Sequence, residues 1–224
     1  MNRNVLKIIA FVAMVIDHIG TVLFPDYVIF KIIGRIAFPI FSFFVAEGYF
    51  YTRSKKRYIL MLLMFTLISW LPYNLAMMYN WYNINVIGVF LLSVIGMTLI
   101  DKIKETKYIF SYIAMFIIYI VLLLTLDMLS IVPEGILGVL LPISFYVSRE
   151  KKFKIFPIVI MILICFVAIG QTGNFLVDYK QIFSLVAIFL LMCYNGQKGK
   201  ANLKYLFYVG YPVHLTVLWI ISIL

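Results

Sequence analysis

Apolar residues run through this chain in long blocks, each closed by a short polar stretch. Crossing about 30 Å of hydrocarbon takes roughly 20 helical residues at about 1.5 Å each. Cutting at the polar stretches yields nine blocks near that length, at about residues 5–24, 30–50, 58–78, 84–100, 108–126, 133–148, 155–171, 180–195 and 205–224. The sequence lacks the alternating ten-residue pattern of a transmembrane barrel, so the backbone must satisfy itself within helices. The pattern predicts an all-α polytopic membrane protein, a single bundle of about nine transmembrane helices forming one domain over residues 1–224. Connections are expected to reach no more than about ten residues.

The polar stretches alternate in character. "YTRSKKR", "DKIKETK", "REKKFK" and "NGQKGKANLK" are basic, whereas "FPDYVIF", "NWYNIN", "LSIVPE" and "QTGNFLVDY" are not. Together with Arg3 and Lys7, the basic stretches hold 16 of the 19 Lys and Arg, leaving Lys31, Arg35 and Lys180. Cytoplasmic loops carry the excess of Lys and Arg, which predicts a cytoplasmic N-terminus and, after nine spans, an extracytoplasmic C-terminus. Tyr79, Trp81 and Tyr82 fit an aromatic belt at the outer interface.

Composition agrees with that picture: 65% of the residues are hydrophobic and 12% charged, which excludes an ordinary soluble domain. The net charge of +10 does not point to nucleic acid, because its residues lie between apolar blocks and face anionic lipid. Cys165 and Cys193 stand in separate blocks and imply neither a disulfide nor a metal site. The first block imitates a secretory signal, but no small-x-small cleavage site follows and the block contains Asp17 and His18, so it reads as the first membrane helix.

Five ionisable side chains interrupt the apolar blocks: Asp17, His18, Arg35, Glu47 and His214. A charge near the bilayer centre costs roughly 2.5–3.5 kcal/mol on insertion scales, so each needs a partner, a wet cavity or a task. Counting from the block ends puts His18 about 20 Å, Arg35 about 23 Å and His214 about 14 Å from the cytoplasmic edge. Asp17, His18, Arg35 and His214 therefore share a slab that a folded bundle can gather into one site. Glu47 lies about 18 Å along the same helix from Arg35, near the cytoplasmic end. Structural roles stand beside chemical ones: an Asp17–Arg35 pair holding two helices in register, interhelical histidine hydrogen bonds, or a snorkelling Glu47. Both histidines of the chain lie inside blocks, and histidine is the side chain best suited to take a proton near neutrality. No GxSxG, HExxH, Walker or dinucleotide fingerprint is present.

"LKIIAFVAMVIDHIGTVLFP", "IIGRIAFPIFSFFVAEGYFYTRSKKRY", "LISWLPYNL" and "YLFYVGYPVHLTVLWII" together resemble the TraX family of membrane acetyltransferases, whose namesake acetylates the N-terminus of conjugative pilin. The specific elements are DHIG, GRxAFPIFxFxxAEG and YPxHL, covering most of the first 75 residues and the last 20. That family is similar in turn to transmembrane acyltransferases such as the lysosomal heparan glucosaminide acetyltransferase and the sugar O-acylating enzymes. The resemblance implies a bundle in the bacterial cytoplasmic membrane that takes acetyl from cytoplasmic acetyl-CoA, as co-substrate and without a metal. The acceptor would be a pilin-like peptide N-terminus or a cell-envelope glycan, at or across the membrane.

The resemblance implies an intramembrane histidine at the reaction centre, matched by His18 of DHIG; acid–base chemistry then makes His18 the expected general base, with Asp17 either orienting it or serving Arg35. Arg35 would steady the oxyanion or Asp17, and His214 is the second acid/base candidate. Glu47 and the basic residues Arg53, Lys55, Lys56 and Arg57 fall on the donor side, where the cations could hold the CoA phosphates. Two other classes compete: a small transporter or flippase using the buried charges as a proton or substrate site, and a structural partner in a secretion or conjugation assembly.

Overall fold

The fold is described from a computed structural model. It describes residues 1–78, 81–105, 109–149, 155–172, 179–199 and 203–224. Asn2 caps the first helix by accepting a hydrogen bond from the Val5 N–H at 3.0 Å, and α1 then runs over Arg3–Val22. Next come α2 (Val28–Gly34), α3 (Ala37–Tyr51), α4 (Lys55–Met77), α5 (Val86–Glu105), α6 (Ile109–Met128), α7 (Gly135–Val147) and α8 (Ile155–Thr172). A 3₁₀ segment, Tyr179–Leu185, leads into α9 (Val186–Met192), and α10 covers Lys204–Ser222. There is no strand among the described residues.

Each predicted block coincides with a helix or a consecutive pair, but the blocks are not alike. Five stretches, Arg3–Val22, Val28–Tyr51, Lys55–Met77, Val86–Glu105 and Phe110–Met128, are long and apolar enough to cross a membrane. The other four, Gly135–Val147, Ile155–Ala168, Tyr179–Met192 and Phe207–Ser222, are shorter apolar helices.

The second block, expected as one helix, is broken at Arg35–Ile36. Pro39 has no N–H to give the Arg35 carbonyl, and its ring crowds that carbonyl, which weakens the helix at the observed break. The segment before α5 also turns inward. Asn85 Nδ2 donates to the Thr66 carbonyl at 2.8 Å, while its Oδ1 accepts from the Ile87 and Gly88 N–H groups. Thr66 lies eleven residues into α4, about 16 Å along its axis, so α5 begins deep inside the bundle. Such irregular backbone survives at depth only where protein supplies its partners.

Leu6 and Ala10 of α1, Ile40 and Tyr49 of α3, Val89 and Val94 of α5 and Leu141 of α7 form the solvent-free centre. α1 and α2 approach closely: a Cβ on Gly20 would sit 2.2 Å from the Phe30 Cβ. Most side chains of α6 and α8 face outward and are apolar, as lipid-facing surfaces are.

The described parts of the basic stretches lie near one end of the bundle. There the Arg3 N–H donates to the Gln197 carbonyl at 3.0 Å, and Lys55 and Tyr146 both donate to Asp101. Trp81 and Tyr82 are exposed, whereas Tyr79, residues 150–154 of "REKKFK" and most of "QTGNFLVDY" lie outside the described residues.

Candidate active site

α1 and α10 meet through the two histidines. His18 Nδ1 lies 2.7 Å from His214 Nε2, with the rings parallel within 2° and their centroids 5.0 Å apart. His214 Nδ1 is 2.8 Å from the Gly210 carbonyl oxygen. A carbonyl only accepts, so Nδ1 of His214 carries a hydrogen, and in the neutral ring Nε2 is the acceptor. His18 Nδ1–H then donates to it. The pattern assigns the remaining lone pair to His18 Nε2.

Asp17 points elsewhere, because neighbours on a helix diverge by about 100°. It packs against α2, where a Cβ on Gly34 would sit 2.2 Å from the Asp17 Cβ. Its Oδ2 is 3.8 Å from Lys31 Nζ, and Lys31 also donates to Thr21 Oγ1. No hydrogen bond joins Asp17 to His18 among the described residues. Arg35, at the helix break, and Glu134, just ahead of α7, lie within electrostatic reach of Asp17. Asp17 Oδ1 and Arg35 Nε are buried with no hydrogen-bond partner among the described residues. The sequence pattern sets Lys31 only among the cations outside the basic stretches and does not single out Glu134. The spacing of Lys31 and Arg35, four residues apart on one helical face, was the available signal.

Glu47 and Lys55, expected on the donor side, are held in pairs. Glu47 is buried, and its Oε2 accepts from Arg3 Nη2 at 2.6 Å and Nε at 3.0 Å; its Oε1 accepts from the Tyr194 hydroxyl at 2.9 Å. Burial, then the Glu47 carboxylate, push the Tyr194 hydroxyl up to about 12, so it remains a donor. Asp101 accepts from Tyr49 at 2.8 Å and also binds Lys55 and Tyr146. Arg53, Lys56 and Arg57 are exposed.

A cavity of about 720 Å³ opens between α1, α3, α4, α5 and α10, within the roughly 300–1,000 Å³ usual for ligand pockets. Among the described residues Arg3, Lys7 and Lys198 supply its cations, and none of Glu47, Arg53, Lys55, Lys56 and Arg57 lines it. Its inner wall includes Phe11, Met14 and Tyr211. The Tyr211 ring lies 6.1 Å from that of His18 and 5.5 Å from that of His214, and Phe11 lies 6.1 Å from His214. One aromatic layer thus separates the cavity from the histidine pair.

Fold and site define a polytopic helical membrane protein with a polar centre buried among apolar helices, beside a cavity with basic residues in its wall. A sequence model described as TraX protein matches residues 2–222, and the chain belongs to the TraX family. That is the family its DHIG, GRxAFP and YPxHL elements resemble. The uncharacterized protein RP591 of Rickettsia prowazekii (strain Madrid E) is 48% identical over 58 residues, covering 26% of this chain and 23% of that protein. The match thus spans under a quarter of that relative's length. The probable fimbrial assembly protein FimC, serogroup H1, of Dichelobacter nodosus is 23% identical over 254 aligned residues, covering 97% of each chain. No solved structure matches.

Proposed function

We propose that this protein is a membrane acetyltransferase that moves acetyl from cytoplasmic acetyl-CoA to an amine or hydroxyl at or across the bacterial cytoplasmic membrane. The observation that carries this reading is the histidine pair, whose hydrogen-bond pattern leaves a lone pair on His18 Nε2 one aromatic layer from the cavity. The basic end faces the cytoplasm, the C-terminus lies outside, and all nine apolar segments cross or enter the bilayer.

The donor occupies the cavity, and its thioester passes between Tyr211 and Phe11 to reach His18. His18 Nε2 takes the proton of the acceptor amine or hydroxyl as the new N–C or O–C bond forms on the acetyl carbon. The C–S bond then breaks, and the proton passes from His18 to the leaving thiolate, giving CoA. His214 positions His18 by holding its Nδ1–H. Arg35, with its Nε unpartnered, is the group available to steady the oxyanion. Membership of the TraX family and the likeness to a protein named for fimbrial assembly favour a pilin-like peptide N-terminus as acceptor; a cell-envelope glycan is the other candidate.

The test is reconstitution of the protein in vesicles that carry a membrane extract as acceptor, with isotopically labelled acetyl-CoA added to the side of the basic end. The expected result is release of CoA thiol on that side and label fixed in a peptide or glycan. Movement of a solute across the vesicles without thiol release would overturn the reading in favour of a transporter.

A further inference from the structure

We propose that Lys7 holds the diphosphate of the acyl donor, and that the α1 stripe from Lys7 through Phe11 and Met14 to His18 sets the distance between that anchor and the base. The inference rests on the acyl-transfer reading above.

Positions 7, 11, 14 and 18 follow the four-three-four spacing of one helical face, and the first three line the cavity. Eleven residues separate Lys7 from His18, or about 16–17 Å along the axis. The arm of a CoA thioester, from its inner phosphorus to its sulfur, is roughly thirteen bonds; at ~1.2 Å per bond of extended chain it reaches about 16 Å. A diphosphate at Lys7 therefore brings the thioester to the level of His18. A shallower anchor would leave it short.

Charge points to the same residue. Lys7 makes no ion pair within 4.0 Å among the described residues. The neighbouring acid, Glu47, is already engaged by Arg3 and Tyr194. Lys7 Nζ instead lies 5.2 Å from the Phe44 ring centroid and 5.6 Å from that of Phe207, both in the cavity wall. A cation inside a membrane helix requires an anion or a wet cavity, and this one has the cavity with the anion still to come. Lys198 supplies a second charge at the same cavity. The exposed Arg53, Lys56 and Arg57 are off the cavity wall and do not reach that position.

The test compares two donors, acetyl-CoA and S-acetylpantetheine, which carries the same arm without phosphates. For Lys7→Met, kcat/KM for acetyl-CoA relative to S-acetylpantetheine is expected to fall about tenfold or more, as the loss of a charge-assisted contact to phosphate requires. Lys7→Arg should restore most of that ratio. Because a ratio cancels the fraction of protein that folds, a poorly folded variant does not blur the reading, and Lys7→Gln provides a second neutral replacement. An unchanged ratio in both neutral variants, with wild-type turnover intact, overturns the assignment alone. Wild-type protein that turns over neither donor overturns the acetyltransferase reading and this assignment with it.

Discussion

At the basic end of the bundle, two buried acids are well partnered: Glu47 accepts from Arg3 and Tyr194, and Asp101 from Tyr49, Tyr146 and Lys55. In the middle, Asp17 Oδ1 and Arg35 Nε are buried without partners among the described residues, and the histidine pair leaves one ring nitrogen free. These acids already hold cations and hydroxyl donors, and they tie α1, α3, α5 and α7 together. Unsatisfied groups at depth cost stability and persist where a ligand or a reaction uses them. Lys55 shows why position alone misleads: it shares the first turn of α4 with Arg57, yet Asp101 occupies it.

Variants that exchange the two behaviours test the contrast. The largest effect is expected at His18→Ala, which should lower acetyl transfer by about 10²–10⁴-fold, the usual share of a general base, with the thermal midpoint in detergent held near wild type. A large drop in midpoint with activity per folded molecule preserved would make His18 structural. Glu47→Gln is the mirror case. Losing the carboxylate from a buried ion pair should cost about 2 kcal/mol of stability by thermal or denaturant unfolding, while activity per folded molecule stays within about twofold. A selective rise in KM for acetyl-CoA would return Glu47 to the donor site. The smallest effect belongs to Lys56→Ala with Arg57→Ala, both exposed, where stability should shift by under about 0.5 kcal/mol and KM for acetyl-CoA hardly at all. A severalfold KM increase there would put the phosphates on the loop rather than at Lys7.

Much of the fold was legible in the sequence because hydrocarbon imposes one-dimensional rules: block length, basic asymmetry and depth along a helix. Depth counting brought His18 and His214 to compatible levels from opposite ends of the chain. What it cannot supply is rotation about each helix axis. Rotation decides that Asp17 faces α2 and Lys31 while His18 faces α10, and that Lys7, rather than Arg53 or Lys56, turns into the cavity. The break at Arg35–Ile36 was written in Pro39, but block reading averages over a single proline. Glu47 and Arg3, 44 positions apart, pair only once α1 and α3 are docked.

Acetyl transfer by this site depends on a base nitrogen left free on His18 by a hydrogen bond that His214 accepts. Two histidines in the whole chain make it directly observable: solid-state nitrogen NMR of histidine-labelled protein in lipid has four ring nitrogens to assign. Both rings are expected in the Nδ1–H tautomer, with the His18 Nδ1 proton coupled to His214 Nε2 and the His18 Nε2 resonance that of a bare acceptor. A His18 ring protonated at Nε2, with its Nδ1 accepting from His214, would contradict it.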